Sequence, residues 1–175
     1  SGPSGIGKDT IVQALCKRDP SFHFVITCAS REPRPGEVHG IDYFFVTKEQ
    51  FEEMIENDEL IEYAVVYDEY KGVPRQHVID ALNTGRDVLM RLDVQGAARI
   101  RALFPQAVLI FLAPENDEEW IKRLQNRRTE TVEKTQLRIA TARDELRYLD
   151  IFDYYVINAR DKIDQATDSI LAIIQ

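Results

Sequence analysis

Residues 2–8 read GPSGIGK and fit the pattern GxxxxGK, which is typical of a phosphate-binding loop. The glycines let successive backbone N–H groups curve around a polyphosphate, and the lysine reaches its β- and γ-phosphates. Apolar residues at helical spacing continue over residues 6–18, so the loop opens a helix whose positive end faces the same anion. The segment therefore predicts a binding site for a polyphosphate.

The position after the lysine departs from the usual pattern. A serine or threonine commonly follows the lysine and holds Mg²⁺, whereas here Asp9 follows Lys8 and Thr10 comes next. A carboxylate is also a good ligand for a hard cation, directly or through water. Either Asp9 or Thr10 is therefore expected to hold the Mg²⁺ that accompanies the nucleotide.

Strands and helices alternate along the chain. Apolar and β-branched runs predict strands over residues 22–29, 42–46, 60–67, 88–94, 107–112 and 154–157. Helical spacing predicts helices over residues 6–18, 48–57, 74–84, 115–127, 132–148 and 163–174. Such alternation is typical of an α/β fold with a parallel sheet, and closely spaced strands over residues 31–70 interrupt it as an inserted subdomain would. Because a phosphate loop normally follows a strand, we expect the first core strand to be missing from this chain.

Composition argues against several classes of function. The chain of 175 residues has 22 Lys and Arg against 30 Asp and Glu, a net charge of −8, which disfavours a general nucleic-acid binder. The longest purely apolar run, residues 107–113, is too short to cross a bilayer. Cys16 and Cys28 form no CxxC pair, so we expect no zinc site and a reducing compartment. We expect no nucleic-acid, membrane or protein partner, and a cytoplasmic location with an organelle as the alternative.

A second anion site is predicted in residues 30–46, which read SREPRPGEVHGIDYFFV. Arg31 and Arg34 lie three positions apart, just before a Pro-Gly turn. Two guanidinium groups at this spacing, together with the Tyr43 hydroxyl, can clamp one phosphate group. Taken alone, such a segment is more often a solvated loop with two surface arginines.

This segment and five others resemble the guanylate kinase family. The six read GPSGIGK, SREPRPGEVHGIDYFFV, LIEYA, VLMRLDVQGA, RLQNRRTET and YYVIN, and they follow the family's order over nearly the whole chain. The resemblance implies a P-loop nucleoside monophosphate kinase fold, with a parallel sheet flanked by helices, that transfers the γ-phosphate of ATP to GMP and dGMP with Mg²⁺. It implies one domain over residues 1–175, with a core (residues 1–29, 76–119 and 150–175), a GMP-binding insertion (residues 30–75) and a lid (residues 120–149).

The resemblance also implies roles for individual residues. The ATP-side residues are Gly2, Pro3, Ser4, Gly5, Ile6, Gly7, Lys8, Asp9, Thr10 and, near the adenine, Asn158. The GMP-side residues are Arg31, Arg34 and Tyr43 for the phosphate, and Thr27, Glu62 and Asp93 for the base. The implied catalytic set consists of Lys8, Arg34 and the lid arginines Arg123, Arg127 and Arg138.

Three positions depart from the family pattern. Lys71 stands where a second phosphate-binding tyrosine is usual, and Val73 where a serine would donate to guanine O6; both stay among the GMP-side candidates. Arg91 stands where an acidic residue is common. Two alternatives remain open: a kinase acting on ribose 1,5-bisphosphate, whose loop can also carry Asp after the lysine, and a non-catalytic scaffold module like those of membrane-associated adaptor proteins.

Overall fold

The structure is a computed structural model that describes residues 1–66, 68–125, 140 and 145–174. Arg127 and Arg138, and most of the helix predicted over residues 132–148, lie outside the described residues. The chain divides into two compact units, one formed by residues 1–18 with residues 92–175 and the other by residues 19–91. The predicted insertion of residues 30–75 falls within the second unit.

Helices and strands alternate through the described residues. The helices are α1 (Lys8–Arg18), α2 (Lys48–Glu56), α3 (Arg75–Asn83), α4 (Val94–Leu103), α5 (Asp117–Gln125) and α6 (Ile163–Ile174). A 3₁₀ helix spans Leu146–Ile151. The strands are β1 (His23–Val25), β2 (Cys28–Ala29), β3 (Phe44–Phe45), β4 (Leu60–Val66), β5 (Glu69–Pro74), β6 (Val88–Met90), β7 (Ile110–Ala113) and β8 (Tyr154–Ile157). No helix of the described residues is long and apolar enough to span a membrane.

The first unit is built around the parallel pair β7 and β8, whose register runs from Ile110 opposite Tyr154 to Ala113 opposite Ile157. A buried cluster that includes Val94, Phe111 and Phe152 packs α4 against β7 and the segment before β8. Helices α1 and α6 lie side by side, and Arg18 forms ion pairs with Asp164 and Asp168. The contacts between α1 and α6 hold the start of the unit in place, and the phosphate loop leads directly into α1.

The second unit contains two sheets. Strands β1 and β6 form a parallel pair in which Val25 lies opposite Met90. The other sheet is mixed and has the order β3-β2-β5-β4, with β2 parallel to β3 and antiparallel to β5. Helix α2 begins with a capping box between Thr47 and Gln50, and it packs the fully buried Phe51 against this sheet.

Several predicted boundaries were wrong. The single strand predicted over residues 22–29 is two strands in different sheets, because β1 pairs with β6 whereas β2 pairs with β3 and β5. The strand predicted over residues 88–94 ends at Met90, since Asp93 caps the next helix. Strand β5 and helix α4 were not predicted from the sequence. In contrast, the boundaries predicted for β8 and α6 are confirmed.

Candidate functional site

The phosphate loop adopts a backbone that favours glycine. Gly7 has φ +97°, and a Cβ atom placed on it would lie 2.8 Å from the Nδ2 atom of Asn158. Both the positive φ and the lack of space exclude an ordinary side chain at this position. The spacing of glycines in the sequence therefore corresponds to a real backbone requirement just before α1.

Lys8 lies against the loop that precedes it. Its Nζ atom donates hydrogen bonds to the carbonyl oxygens of Gly2, at 2.6 Å, and Pro3, at 3.1 Å. The ammonium group is therefore held beside the loop at the start of α1, whose N-terminal end carries a partial positive charge. A lysine and a helix N-terminus at one loop together favour an anionic ligand.

Three side chains from distant parts of the first unit support this loop. The Trp120 indole Nε1 donates to the Ser4 carbonyl oxygen at 2.8 Å, and Leu124 is the side chain that a Cβ on Gly5 would meet. Asn158, 3% exposed, donates from Nδ2 to the Ile6 carbonyl oxygen at 2.7 Å. Asn158 thus contacts the loop backbone itself, 152 residues away in the chain.

The two metal-ligand candidates follow Lys8 in the first turn of α1. Asp9 is partly buried and Thr10 is exposed. Among the described residues no group of three or more His, Cys, Asp or Glu could hold a metal ion. Mg²⁺ accompanying a nucleotide commonly takes one or two protein ligands and completes its shell with phosphate and water oxygens, so a lone carboxylate or hydroxyl beside the loop fits that ion.

Arg31 is held in a bidentate ion pair on the second unit. Its Nη1 and Nη2 atoms donate to the two carboxylate oxygens of Glu37 at 2.6 and 2.8 Å. The backbone N–H of Arg34 donates to the same carboxylate at 2.8 Å. Although burial of Glu37 acts against its ionisation, these hydrogen bonds outweigh that effect and lower the pKa of the carboxyl group. Glu37 therefore ties together the segment that carries both predicted phosphate-binding arginines.

Tyr43 lies beneath two guanidinium groups. The Cζ atom of Arg31 is 5.0 Å from the centroid of the Tyr43 ring, and that of Arg91 is 4.1 Å away. These distances are within the range of cation–π attraction. The structure thus brings Arg31 and Tyr43 together, as the resemblance implied, and adds Arg91 to them.

The predicted base-reading residues lie on two adjacent strands. Glu62 on β4 is directly opposite Val73 on β5, and the two side chains are 6% and 0% exposed. Residues directly opposite each other in an antiparallel pair project from the same face of the sheet. Glu62 and Val73 therefore form one buried face. Lys71, two positions before Val73, lies opposite Ala64 and Ala29.

The remaining predicted residues have local contacts. The Asp93 carboxylate caps α4 by accepting hydrogen bonds from the backbone N–H groups of Gln95 and Gly96, both at 2.9 Å. The guanidinium of Arg123 on α5 pairs with Glu119 one turn earlier. Thr27 is buried immediately before β2, and its carbonyl oxygen accepts from the Phe44 N–H.

Comparison with known proteins identifies the family. The model of the family described as guanylate kinase matches residues 1–175. The chain belongs to the guanylate kinase family. It is 47% identical over 175 residues to the rice (Oryza sativa subsp. japonica) protein "Guanylate kinase 2, chloroplastic/mitochondrial". The match covers 99% of this chain and 61% of the rice protein. It is 42% identical to the guanylate kinase of Caldanaerobacter subterraneus subsp. tengcongensis, over 99% of this chain and 84% of that relative.

A solved guanylate kinase shares the fold. The crystal structure of guanylate kinase from Anaplasma phagocytophilum superposes with a TM-score of 0.77 at 26% identity, covering 99% of this chain and 80% of that one. The predicted α/β fold and membership of the guanylate kinase family, a family of kinases, are thereby confirmed. The matches favour a guanylate kinase over the ribose 1,5-bisphosphate kinase and the scaffold module.

Sequence reasoning missed two of the residues at the site of this family member. Glu37 is part of the quoted segment RPGEVHG, and its negative charge near two arginines was the available signal. Arg91 was noted only as a departure from the family pattern. Its contact with Tyr43 joins residues 48 positions apart, and no local pattern in the sequence indicates such a pair.

Proposed function

We propose that this chain transfers the γ-phosphate of ATP to GMP, and to dGMP, yielding ADP and GDP. The observation that carries the proposal is the buried carboxylate of Glu62 on β4. A buried carboxylate is stable only when donors surround it, and guanine offers two on one edge, its N1–H and its 2-amino group. Membership of the guanylate kinase family supports the same substrate.

The phosphate loop provides the ATP side of the reaction. The backbone N–H groups available in residues 2–8, all but Pro3, bind the phosphates together with the N-terminus of α1, and Lys8 reaches the β- and γ-phosphates. Asp9 or Thr10 would hold Mg²⁺, which supplies charge neutralisation between the phosphates when bound. Asn158 belongs to the same side, where its contact with Ile6 shapes the loop.

The acceptor phosphate is bound by Arg31, Arg34 and Tyr43, with Lys71 as a further cationic donor. Arg31 is already oriented by Glu37 and by its position over the Tyr43 ring. An oriented guanidinium loses less side-chain freedom when it binds a phosphate than a solvated one does. The loop with two arginines is therefore a prepared anion site and not a solvated surface segment.

Phosphoryl transfer to a nucleotide needs little covalent chemistry from the protein. The oxygen of the acceptor phosphate is ionised at neutral pH, so no general base is required. The protein binds and orients the two anions and neutralises the charge that develops between them. We assign residues 120–149 to the lid, in which Arg123, Arg127 and Arg138 cover the transferred group. We assign residues 30–75 to the GMP-binding insertion.

Base selection depends on Glu62 more than on Val73. Adenine has no 2-amino group and an unprotonated N1, so it would withhold from the buried carboxylate the two donors that guanine supplies, and each such loss at a charged group costs more than the roughly 1–3 kcal/mol of a neutral one. Val73 cannot donate to guanine O6, a loss of about 0.5–1.5 kcal/mol. GMP should therefore be preferred over AMP by at least about 100-fold in kcat/KM.

A coupled assay tests this function with ATP and, in turn, GMP, dGMP, AMP and ribose 1,5-bisphosphate as acceptors. Turnover with GMP and dGMP should far exceed turnover with AMP, and none is expected with ribose 1,5-bisphosphate. Lys8→Ala should abolish turnover while leaving GMP affinity within about twofold. Glu62→Gln should remove most of the preference for GMP, because an amide can rotate to pair with either base. Val73→Ser is the matched control on the opposite strand and should change the preference for GMP over AMP by less than about tenfold. Equal use of AMP and GMP by the wild type would overturn the assignment.

We also propose a reducing compartment. Cys16 and Cys28 are free thiols, which is typical of cytoplasmic proteins. The name of the rice relative adds the chloroplast and the mitochondrion as alternatives.

A further inference from the structure

Arg91 is a buried arginine at the end of β6. It is 7% exposed, and its Nη2 atom donates to the carbonyl oxygen of Asp42 at 2.6 Å. Its guanidinium lies 4.1 Å from the centroid of the Tyr43 ring and 5.3 Å from that of Phe24. One side chain thus contacts both the backbone just before Tyr43 and the face of the Tyr43 ring.

These contacts restrict the position of Tyr43. The hydrogen bond to Asp42 holds the backbone on one side, and Gly40 N–H donates to the Tyr43 carbonyl oxygen at 2.8 Å on the other. The planar guanidinium, lying over the ring, favours one orientation of the ring plane. Packing against the ring face also limits rotation about the Cα–Cβ bond of Tyr43, and that rotation sets the position of the phenolic oxygen, which lies on the axis about which the ring itself turns.

We propose that Arg91 is a positioning residue for the acceptor phosphate: it holds Tyr43 so that the phenolic hydroxyl is directed before the nucleoside monophosphate binds. This inference rests on the proposed function. Arg91 acts through Tyr43 and, by its positive charge, adds to the attraction for a dianionic phosphate. Resemblance to the family does not supply the residue, since an acidic side chain is common at this position.

The variants form a double-mutant cycle. Arg91→Met keeps much of the side-chain volume but removes the charge, the planar group and the hydrogen-bond donors. Tyr43→Phe removes only the hydroxyl. Arg86→Met is the matched control, because Arg86 lies in the same unit and also binds backbone carbonyls, those of Pro20, Ser21 and Phe22. Steady-state kinetics with separate KM values for GMP and ATP, together with thermal unfolding, are measured for each variant.

We expect Arg91→Met to raise the KM for GMP about tenfold and to leave the KM for ATP within about twofold. Adding Arg91→Met to Tyr43→Phe should raise the KM for GMP by less than about threefold more, because the positioned hydroxyl is already absent. Arg86→Met should lower the unfolding temperature without changing either KM. Arg91→Lys keeps the charge without the planar group, so its KM for GMP should lie between those of wild type and Arg91→Met. If Arg91→Met does not fold, Arg91→Lys replaces it in the double-mutant cycle.

The outcomes separate this inference from the proposed function. Wild-type turnover with GMP and an unchanged KM for GMP in the Arg91 variants would overturn the role of Arg91 alone. The role would also be overturned if the double variant raised the KM for GMP by the product of the two single fold-changes, because Arg91 and Tyr43 would then act independently. A wild type that does not phosphorylate GMP would overturn the proposed function and this inference together.

Discussion

Arg31 donates from both terminal nitrogens to the two carboxylate oxygens of Glu37, at 2.6 and 2.8 Å. The side chains are 7% and 17% exposed, so the pair is largely shielded from water. Burial of the carboxylate opposes its ionisation, yet the hydrogen bonds from Arg31 and from the Arg34 N–H outweigh that effect and lower the pKa of Glu37. The carboxylate thus stabilises the segment that we propose binds the acceptor phosphate.

This pair predicts a pH dependence of stability. Because the pKa of Glu37 is lower in the folded state than in the unfolded state, its stabilisation is present above the unfolded value and is lost as the pH falls through the folded value. Glu37→Gln should lower the free energy of unfolding by about 1.5–3 kcal/mol near neutral pH. The difference between wild type and variant should shrink as the pH falls below the ordinary pKa of a glutamate, as urea unfolding at each pH would show. A difference that does not depend on pH would contradict this assignment.

Asp9 is expected to contribute to Mg²⁺ binding. Asp9→Ala should raise the Mg²⁺ concentration needed for half-maximal rate, and Asp9→Ser should restore much of the activity, because a hydroxyl is the usual ligand at this position. Thr10→Val is the matched variant at the next residue. An unchanged Mg²⁺ dependence in Asp9→Ala, with a raised one in Thr10→Val, would transfer the role to Thr10.

Gly7→Ala should impair the ATP side of the site. The added methyl group would lie 2.8 Å from Asn158 Nδ2, at a backbone φ of +97°, so strain of about 1–3 kcal/mol is expected together with a raised KM for ATP. Gly85→Ala is the control, since Gly85 also has a positive φ, of +67°, but no atom within 4 Å of the added Cβ. Equal effects of the two substitutions on the KM for ATP would rule out the contact with Asn158 as the cause.

Trp120 should report on nucleotide binding. It is the single tryptophan of the sequence, and its indole N–H donates to the Ser4 carbonyl oxygen in the phosphate loop. ADP should change the fluorescence emission more than GMP does, because the indole is hydrogen-bonded to the phosphate loop on the proposed ATP side. Trp120→Phe should weaken ADP binding by up to about tenfold, the equivalent of one neutral hydrogen bond of about 0.5–1.5 kcal/mol. Emission that ADP does not alter would contradict the contact.

Local patterns were sufficient for a large part of the fold. The phosphate loop and α1 were predicted because their chemistry lies within a few consecutive residues, and α6 because its apolar residues recur at helical spacing. The capping box of α2 was not predicted, although it too is local and joins Thr47 and Gln50, only three positions apart. In each of these elements the physical cause is contained in the segment itself.

Contacts between distant segments were decided by the tertiary structure. The pairing of Glu62 with Val73 depends on β5, which carries Gly72 and Pro74 and has little local strand preference, so its strand conformation comes from pairing with β2 and β4. The error at Asp93 had a local cause instead. Its side chain caps α4, but the apolar run before it favoured a strand that was too long.

The sequence alone thus determined which chemical groups this protein has. They are a phosphate loop with Lys8, the arginines Arg31 and Arg34 near Tyr43, and the acidic Glu62 between apolar neighbours. Tertiary structure decided the long-range contacts that orient those groups, by placing Arg91 over Tyr43 and Asn158 against Ile6. The physical reason is range. Turn, cap and periodicity preferences act over a few residues, whereas ring stacking and buried hydrogen bonds depend on close packing of segments far apart in the chain.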